Sequence, residues 1–136
     1  MLLSRYQMRR RHEMLGLERS AYVVLSRLIM QGPMSIGQLS AAFGLDTSTL
    51  NRQTAALLRS GLVERIADPG GGIARKFRIT AEGTRRLEET VEATVAGLER
   101  VLSDWSATEV AEFATWLRRL NTGIERLSGQ PWPRPQ

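Results

Sequence analysis

The chain has 136 residues, of which 42% are hydrophobic and 24% charged; that is enough for one packed domain and too little for two. No apolar run nears the roughly 20 residues of a membrane span, and Gln7 and Arg9-Arg10-Arg11 interrupt any secretory core at the start, so a cytoplasmic protein is expected. Without cysteine there is no disulfide framework, thiolate metal site or thiol redox switch.

The formal net charge of +5 is unevenly spread. Residues 1–80 carry twelve Lys/Arg against five Asp/Glu, and residues 81–136 carry seven against nine. A basic front suits a polyanion partner. An arginine-rich composition from a GC-rich coding sequence would look the same, so charge alone leaves both open.

Taken in order, residues 1–15 are compatible with a helix whose apolar positions include Leu2, Leu3 and Tyr6. Gly16 breaks it, and a second helix runs from about Glu18 to Gln31, with Val24, Leu25, Leu28 and Ile29 at helical spacing. Gly32-Pro33 ends that helix. Ser35-Ile36-Gly37-Gln38 has the form of a capping box and starts a short third helix reaching Phe43. Gly44 is a candidate left-handed terminator, and Asp46 a candidate N-cap for a fourth helix from Thr47 to about Ser60. Leu50, Thr54, Leu57 and Leu58 give that helix its inward face.

After Gly61 the period changes. Leu62–Ile66 and Arg75–Ile79 alternate as strands, joined through Asp68-Pro69-Gly70-Gly71-Gly72, a mobile hairpin tip. Phe77 and Ile79 point to one face of the second strand, Lys76 and Arg78 to the other. Thr80 caps a long helix from Ala81 to about Leu102, carrying an apolar stripe that includes Leu87, Val91, Val95 and Leu98. Ser106-Ala107-Thr108-Glu109 is a second capping box and opens a last helix. There Val110, Phe113, Leu117, Leu120, Ile124 and Leu127 alternate at spacings of three and four, a packing seam. Residues 129–136 hold three of the five prolines and are expected to be a disordered tail.

The order of elements defines a mainly α fold with a small β-hairpin wing, a winged helix–turn–helix. In that arrangement the short helix crosses the DNA backbone and the next one lies in the major groove. Ser35, at the start of the short helix, is a candidate backbone contact. Thr47, Ser48, Asn51, Arg52 and Ala55 fall on or near the outer face of the following helix. Ser48 and Thr49, with free first-turn amides, suit a phosphate. Asn51 suits adenine and Arg52 guanine, each bidentately. Arg75, Lys76 and Arg78 make the wing cationic and fit it to phosphates or a minor groove. A solvated helix face and an ordinary charged turn are the bland alternatives for the two elements.

From Gly16 to Gly83 the sequence resembles the MarR family of winged-helix regulators. The resemblance rests on Gly32-Pro33-Met34-Ser35-Ile36-Gly37-Gln38-Leu39 and Phe43-Gly44-Leu45-Asp46-Thr47-Ser48-Thr49-Leu50-Asn51-Arg52. It continues through Ser60-Gly61-Leu62-Val63-Glu64-Arg65, Asp68-Pro69 and Arg78-Ile79-Thr80-Ala81-Glu82-Gly83. It implies a single domain over residues 1–136: a DNA-binding lobe at 18–80 and dimerisation helices at 1–15 and 81–128. It also implies a dimer of intertwined first and last helices, made by Leu2, Leu3, Tyr6, Val110, Phe113, Leu117, Leu120 and Ile124. Burial of the last-helix stripe within one subunit is the competing reading. Ser48, Thr49, Asn51 and Arg52 become major-groove residues, and the partners are double-stranded DNA and a second copy of the chain. The sequence departs from the family at the wing, where Gly71 and Ile73 stand in place of an aspartate and an arginine, and at Gln53 and Thr54, commonly apolar. The resemblance further suggests a repressor released by a small aromatic or anionic effector. Tyr22 and Arg27 are candidates to line its cleft, although Tyr22 reads first as core and Arg27 first as surface.

Little supports an enzyme. His12 is the only histidine, Glu88-Glu89-Glu92 beside Arg85-Arg86 reads as a solvated charged face, and the glycine loop lacks the lysine of a phosphate loop. No cofactor or metal is expected. The main competitor to DNA reading is a winged-helix module that binds another protein, as an antirepressor or adaptor does.

Overall fold

Helix ends follow the capping chemistry of the sequence. The computed structural model describes residues 17–133, so the helix expected over residues 1–15, with Leu2, Leu3, Tyr6 and His12, lies outside the described residues. The elements are α1 (Arg19–Gln31), α2 (Ile36–Phe43), α3 (Thr47–Arg59), β1 (Val63–Ile66), β2 (Lys76–Ile79), α4 (Ala81–Val101) and α5 (Ala107–Ser128). Ser35 accepts from the Gln38 amide while Gln38 accepts from the Ser35 amide, a complete capping box that starts α2. Ser106 and Glu109 repeat it at α5. Asp46 caps α3 through the Thr49 amide, and Thr80 caps α4 through the Gly83 amide. Gly44 closes α2 with φ of 62°, a conformation that costs a side-chain-bearing residue.

The core is built by α1–α3, the hairpin and the start of α4, here called the lobe. Val24, Leu25 and Leu28 from α1 meet Leu39 from α2, Leu50 and Leu57 from α3, Leu62, Val63 and Phe77 around the hairpin, and Leu87 from α4. Thr54, polar at an inward position, is 1% exposed and satisfied by donating to the Leu50 carbonyl at 2.8 Å. The strands pair antiparallel with Val63 opposite Ile79 and Arg65 opposite Phe77. Met34 adds a pairing that the sequence pattern does not announce: its amide and carbonyl exchange hydrogen bonds with those of Phe77 at 3.1 and 2.8 Å. That bridge pins the α1–α2 connection onto the wing strand.

Outside the lobe the picture reverses. Along α4 and the loop after it, Val91, Val95, Leu98, Val101 and Trp105 are exposed, and among the described residues α5 has no buried side chain. Trp105 and Phe113 pack edge to face, with centroids 5.3 Å apart. Trp116 stands 61% exposed.

Three expectations are corrected. Tyr22, expected in the core, is exposed, whereas Arg27, expected at the surface, is 7% exposed. The helical phase of α1 accounts for the exchange, since Arg27 falls on the edge of the inward side that carries Val24, Leu25 and Leu28, and Tyr22 lies outside it. The segment expected to be a disordered tail begins instead with ordered contacts: Trp132 stacks on Phe43 at 6.0 Å, and the Pro131 carbonyl accepts from Arg27. Proline content argues against helix and strand, but it does not weigh what one indole gains by packing on an aromatic ring.

Candidate nucleic-acid interface

The α3 helix has a clean division of faces. Leu50, Thr54 and Leu57 are buried, and Ser48, Arg52, Ala56 and Arg59 are exposed on the opposite side. Arg59, which the sequence analysis did not single out, follows Arg52 by seven residues, which is about two helical turns and returns to the same face. The helical period alone would have found it. Ala55 is half-buried and Ala56 is exposed, so the gap for close approach lies one residue further along than expected. Asn51 is exposed, but it stands about 100° around the axis from Arg52, on the shoulder of the face beside Thr47.

Asp46 organises the N-terminal end. Its carboxylate accepts from the Thr49 amide at 2.7 Å, from the Thr49 hydroxyl at 2.9 Å and from the Ser48 hydroxyl. The Thr49 amide, expected to be free for phosphate, is therefore spent on the cap, and Thr49 itself is half-buried. Thr47 and Ser48 keep first-turn amides outside the helical ladder. Those hydrogen bonds, led by the Ser48 hydroxyl, pull the Asp46 carboxyl from its ordinary 3.8 to about 2. A depressed carboxyl pKa contributes stability that is complete above the ordinary value and disappears as pH falls through the folded one. The cap should therefore persist at pH 4 and fail between there and about pH 2. An NMR titration of the Asp46 carboxyl should have its midpoint near that lower value and move upward in Ser48→Ala; a midpoint near 4 in the parent protein would contradict the geometry.

At the wing, the three expected cations differ. The Lys76 ammonium lies 2.8 Å from Asp68, with both side chains largely sheltered. Asp68 also accepts from the Gly70 amide at 2.9 Å, and these interactions hold its carboxyl below the usual range. The base of a loop expected to be mobile is thus stapled. Arg78 pairs with Glu64 directly across the strands at 2.8 Å, exposed. Arg75 is exposed and carries no ion pair among the described residues. Arg65, which the sequence analysis also passed over, lies over the Phe77 ring at 5.5 Å. Ile73, at the tip, is wholly exposed. Ser35 is half-buried and occupied by its capping box.

The geometry is that of a winged helix, and the comparisons agree. The model of the MarR family matches residues 17–71. An HTH-type transcriptional regulator of Bacillus subtilis, YxaD, is 38% identical over 106 residues, covering 78% of this chain and 74% of that protein. The chain belongs to the MarR family. Among solved structures, a MarR family protein from Bacillus stearothermophilus superposes with a TM-score of 0.77 at 26% identity, covering 90% of this chain and 87% of that one. YusO from Bacillus subtilis shares the fold with a TM-score of 0.73 at 20% identity, covering 89% and 87%. As a MarR-family protein the chain is a DNA-binding transcriptional regulator with a winged helix. Among the described residues no helix is long and apolar enough to cross a membrane.

Proposed function

We propose that the protein is a cytoplasmic, non-catalytic repressor that binds a pseudo-palindromic operator as a homodimer. The observation that carries this reading is the outer face of α3, where Ser48, Arg52 and Arg59 project from a helix fixed by a buried inner face. Arg52 reads a base, with Asn51 and Thr47 beside it. Ser48, Arg59 and the amides at the start of α3 hold phosphates. Thr49 and Ser35 support these contacts by shaping the helix starts. Arg75 serves the wing. The exposed stripe Val110, Phe113, Leu117, Leu120 and Ile124 supports self-association, and a two-fold dimer fits half-sites centred roughly 34 Å apart. A small aromatic or anionic effector has a candidate seat in an open cleft of about 490 Å³ lined by Arg19, Val23, Phe43, Leu45 and Gln53. Tyr22 is absent from that lining and Arg27 is covered by Trp132.

Selection from random duplex DNA tests the reading: an inverted repeat is expected, and recovery of no duplex at low salt would end it. Arg52→Ala should lose about 1–3 kcal/mol on the selected site, measured by gel shift, with relaxed preference at one base pair in each half-site. An equal loss on unrelated duplexes would make Arg52 a phosphate contact instead.

Internal pairing of Lys76 and Arg78 favours a second reading, a module that binds protein through a wing of reduced charge. Salt dependence separates the two. If DNA is the partner, Arg75→Ala should flatten the logarithmic salt slope by about 0.9 for each phosphate no longer neutralised. Lys76→Ala should change it less, because its charge is already matched by Asp68. Insensitivity of binding to salt would favour the protein partner.

A further inference from the structure

The chain beyond α5 returns to the helix–turn–helix. Trp132 stacks on Phe43, the last residue of α2, with ring planes 27° apart. Beneath the pair lies Arg27, its guanidinium 5.1 Å from the Trp132 ring and 6.0 Å from the Phe43 ring. Arg27 donates to Gln31 at 2.7 Å and to the Pro131 carbonyl at 3.3 Å. It forms no ion pair among the described residues, so two ring faces and two oxygens hold this buried cation. One residue past Phe43, the Gln130 amide group lies so close to Gly44 that a side-chain carbon there would overlap it. These contacts converge on the α2–α3 turn, the joint that sets the direction of the recognition helix. Phe43 packs against the lobe's hydrophobic core from its edge, while Gln130, Pro131 and Trp132 lie outside that core.

We infer that Trp132, with Gln130 and Pro131, is a positioning clasp that ties the end of α5 to the α2–α3 turn through Phe43 and Arg27, fixing the recognition helix relative to the dimerisation helices. This inference rests on the DNA reading proposed above. A two-fold protein reads two half-sites at one separation only if each reading helix is held against the shared dimer scaffold. A connection through α4 alone leaves a hinge between the lobe and the paired helices. The clasp closes the second side of that hinge, and Trp132 acts on DNA only through Phe43, touching no base.

Two measurements on the full chain test it, using Trp132→Ala and Trp132→Phe. In the free protein, amide exchange at Phe43–Leu45 should speed up in Trp132→Ala and return towards the parent rate in Trp132→Phe, with the melting transition and dimer mass unchanged. On DNA, operators whose half-sites are moved by one base pair, a rotation of roughly 35°, should be rejected about tenfold or more by the parent. Trp132→Ala should accept them within about threefold of its affinity for the natural spacing, while a single half-site is bound equally by both. Unchanged exchange at the turn would overturn the clasp. Altered exchange with an unaltered spacing profile would overturn its role in positioning. If the parent protein bound no duplex while the exchange difference persisted, the DNA reading would fall, the positioning role with it, and the contact itself would stand.

Discussion

Leu117→Asp should convert the protein to a monomer and cost about 10²–10⁴-fold in affinity for an inverted repeat. Leu117 is 41% exposed at the middle of a stripe running from Val110 to Ile124 on α5, a helix with no buried residue among the described residues. Such a continuous apolar face is rare on a monomer and marks an interface. A carboxylate at its centre would have to be desolvated on pairing, at a cost that no neighbouring cation of the stripe offsets. On the proposed dimer the affinity should fall because two linked half-site interactions would become one, forfeiting the avidity of the pair. Sedimentation gives the mass and gel shift the affinity. A dimeric variant would move the interface away from the α5 stripe, and a monomer with undiminished affinity would show that each lobe binds alone. Binding to an isolated half-site should be nearly unchanged, since Leu117 is not part of the core that holds α3 in place.

Gly83→Ala should destabilise the lobe by about 3 kcal/mol, the upper end of what overpacking costs. A carbon added at Gly83 would lie 2.1 Å from the Leu62 carbonyl oxygen and 2.8 Å from Ile79. The nearest atom is backbone and is held in place, because the Leu62 carbonyl accepts from the Thr80 amide and the Leu62 amide donates to Leu57. Thr80 adds a hydrogen bond from its hydroxyl to the Gly61 carbonyl at 2.7 Å. The start of α4 is thus pressed against the start of β1, and relief of the overlap requires α4 to move away from the wing. For a domain this size the destabilisation should lower the melting temperature by roughly 5–15 °C. A fall of one or two degrees would mean that the junction yields easily. The same packing gives Gly83, which in the sequence is only a point of resemblance, a physical reason.

The two largest expected effects fall on different levels of organisation. Leu117→Asp is expected to act between chains and leave the lobe intact, whereas Gly83→Ala is expected to act inside the lobe. Circular dichroism and sedimentation together tell them apart: the first variant should keep its melting cooperativity and lose mass, and the second should melt early.

What the amino-acid order determined unaided was local. Ser35 with Gln38, Asp46, Thr80 and Ser106 with Glu109 placed the starts of four helices, because a cap is decided by residues within one turn of one another. The 3.6-residue period separated Leu50, Thr54 and Leu57 from Ser48 and Arg52, and the change to a two-residue period located the hairpin. Only the tertiary structure decided which cations remain available and what covers what. Lys76 pairs with Asp68 through the curl of the loop, and Arg78 with Glu64 across fourteen residues by strand register. The one-residue bridge from Met34 to Phe77 has no period to betray it. Arg27 went to the interior because aromatic rings and a carbonyl 104 residues away in the chain meet it there. Caps and periods are short-range and additive, so a sequence displays them. Partners brought together by folding depend on where distant backbones end up, and no window along the chain contains both halves of such a pair.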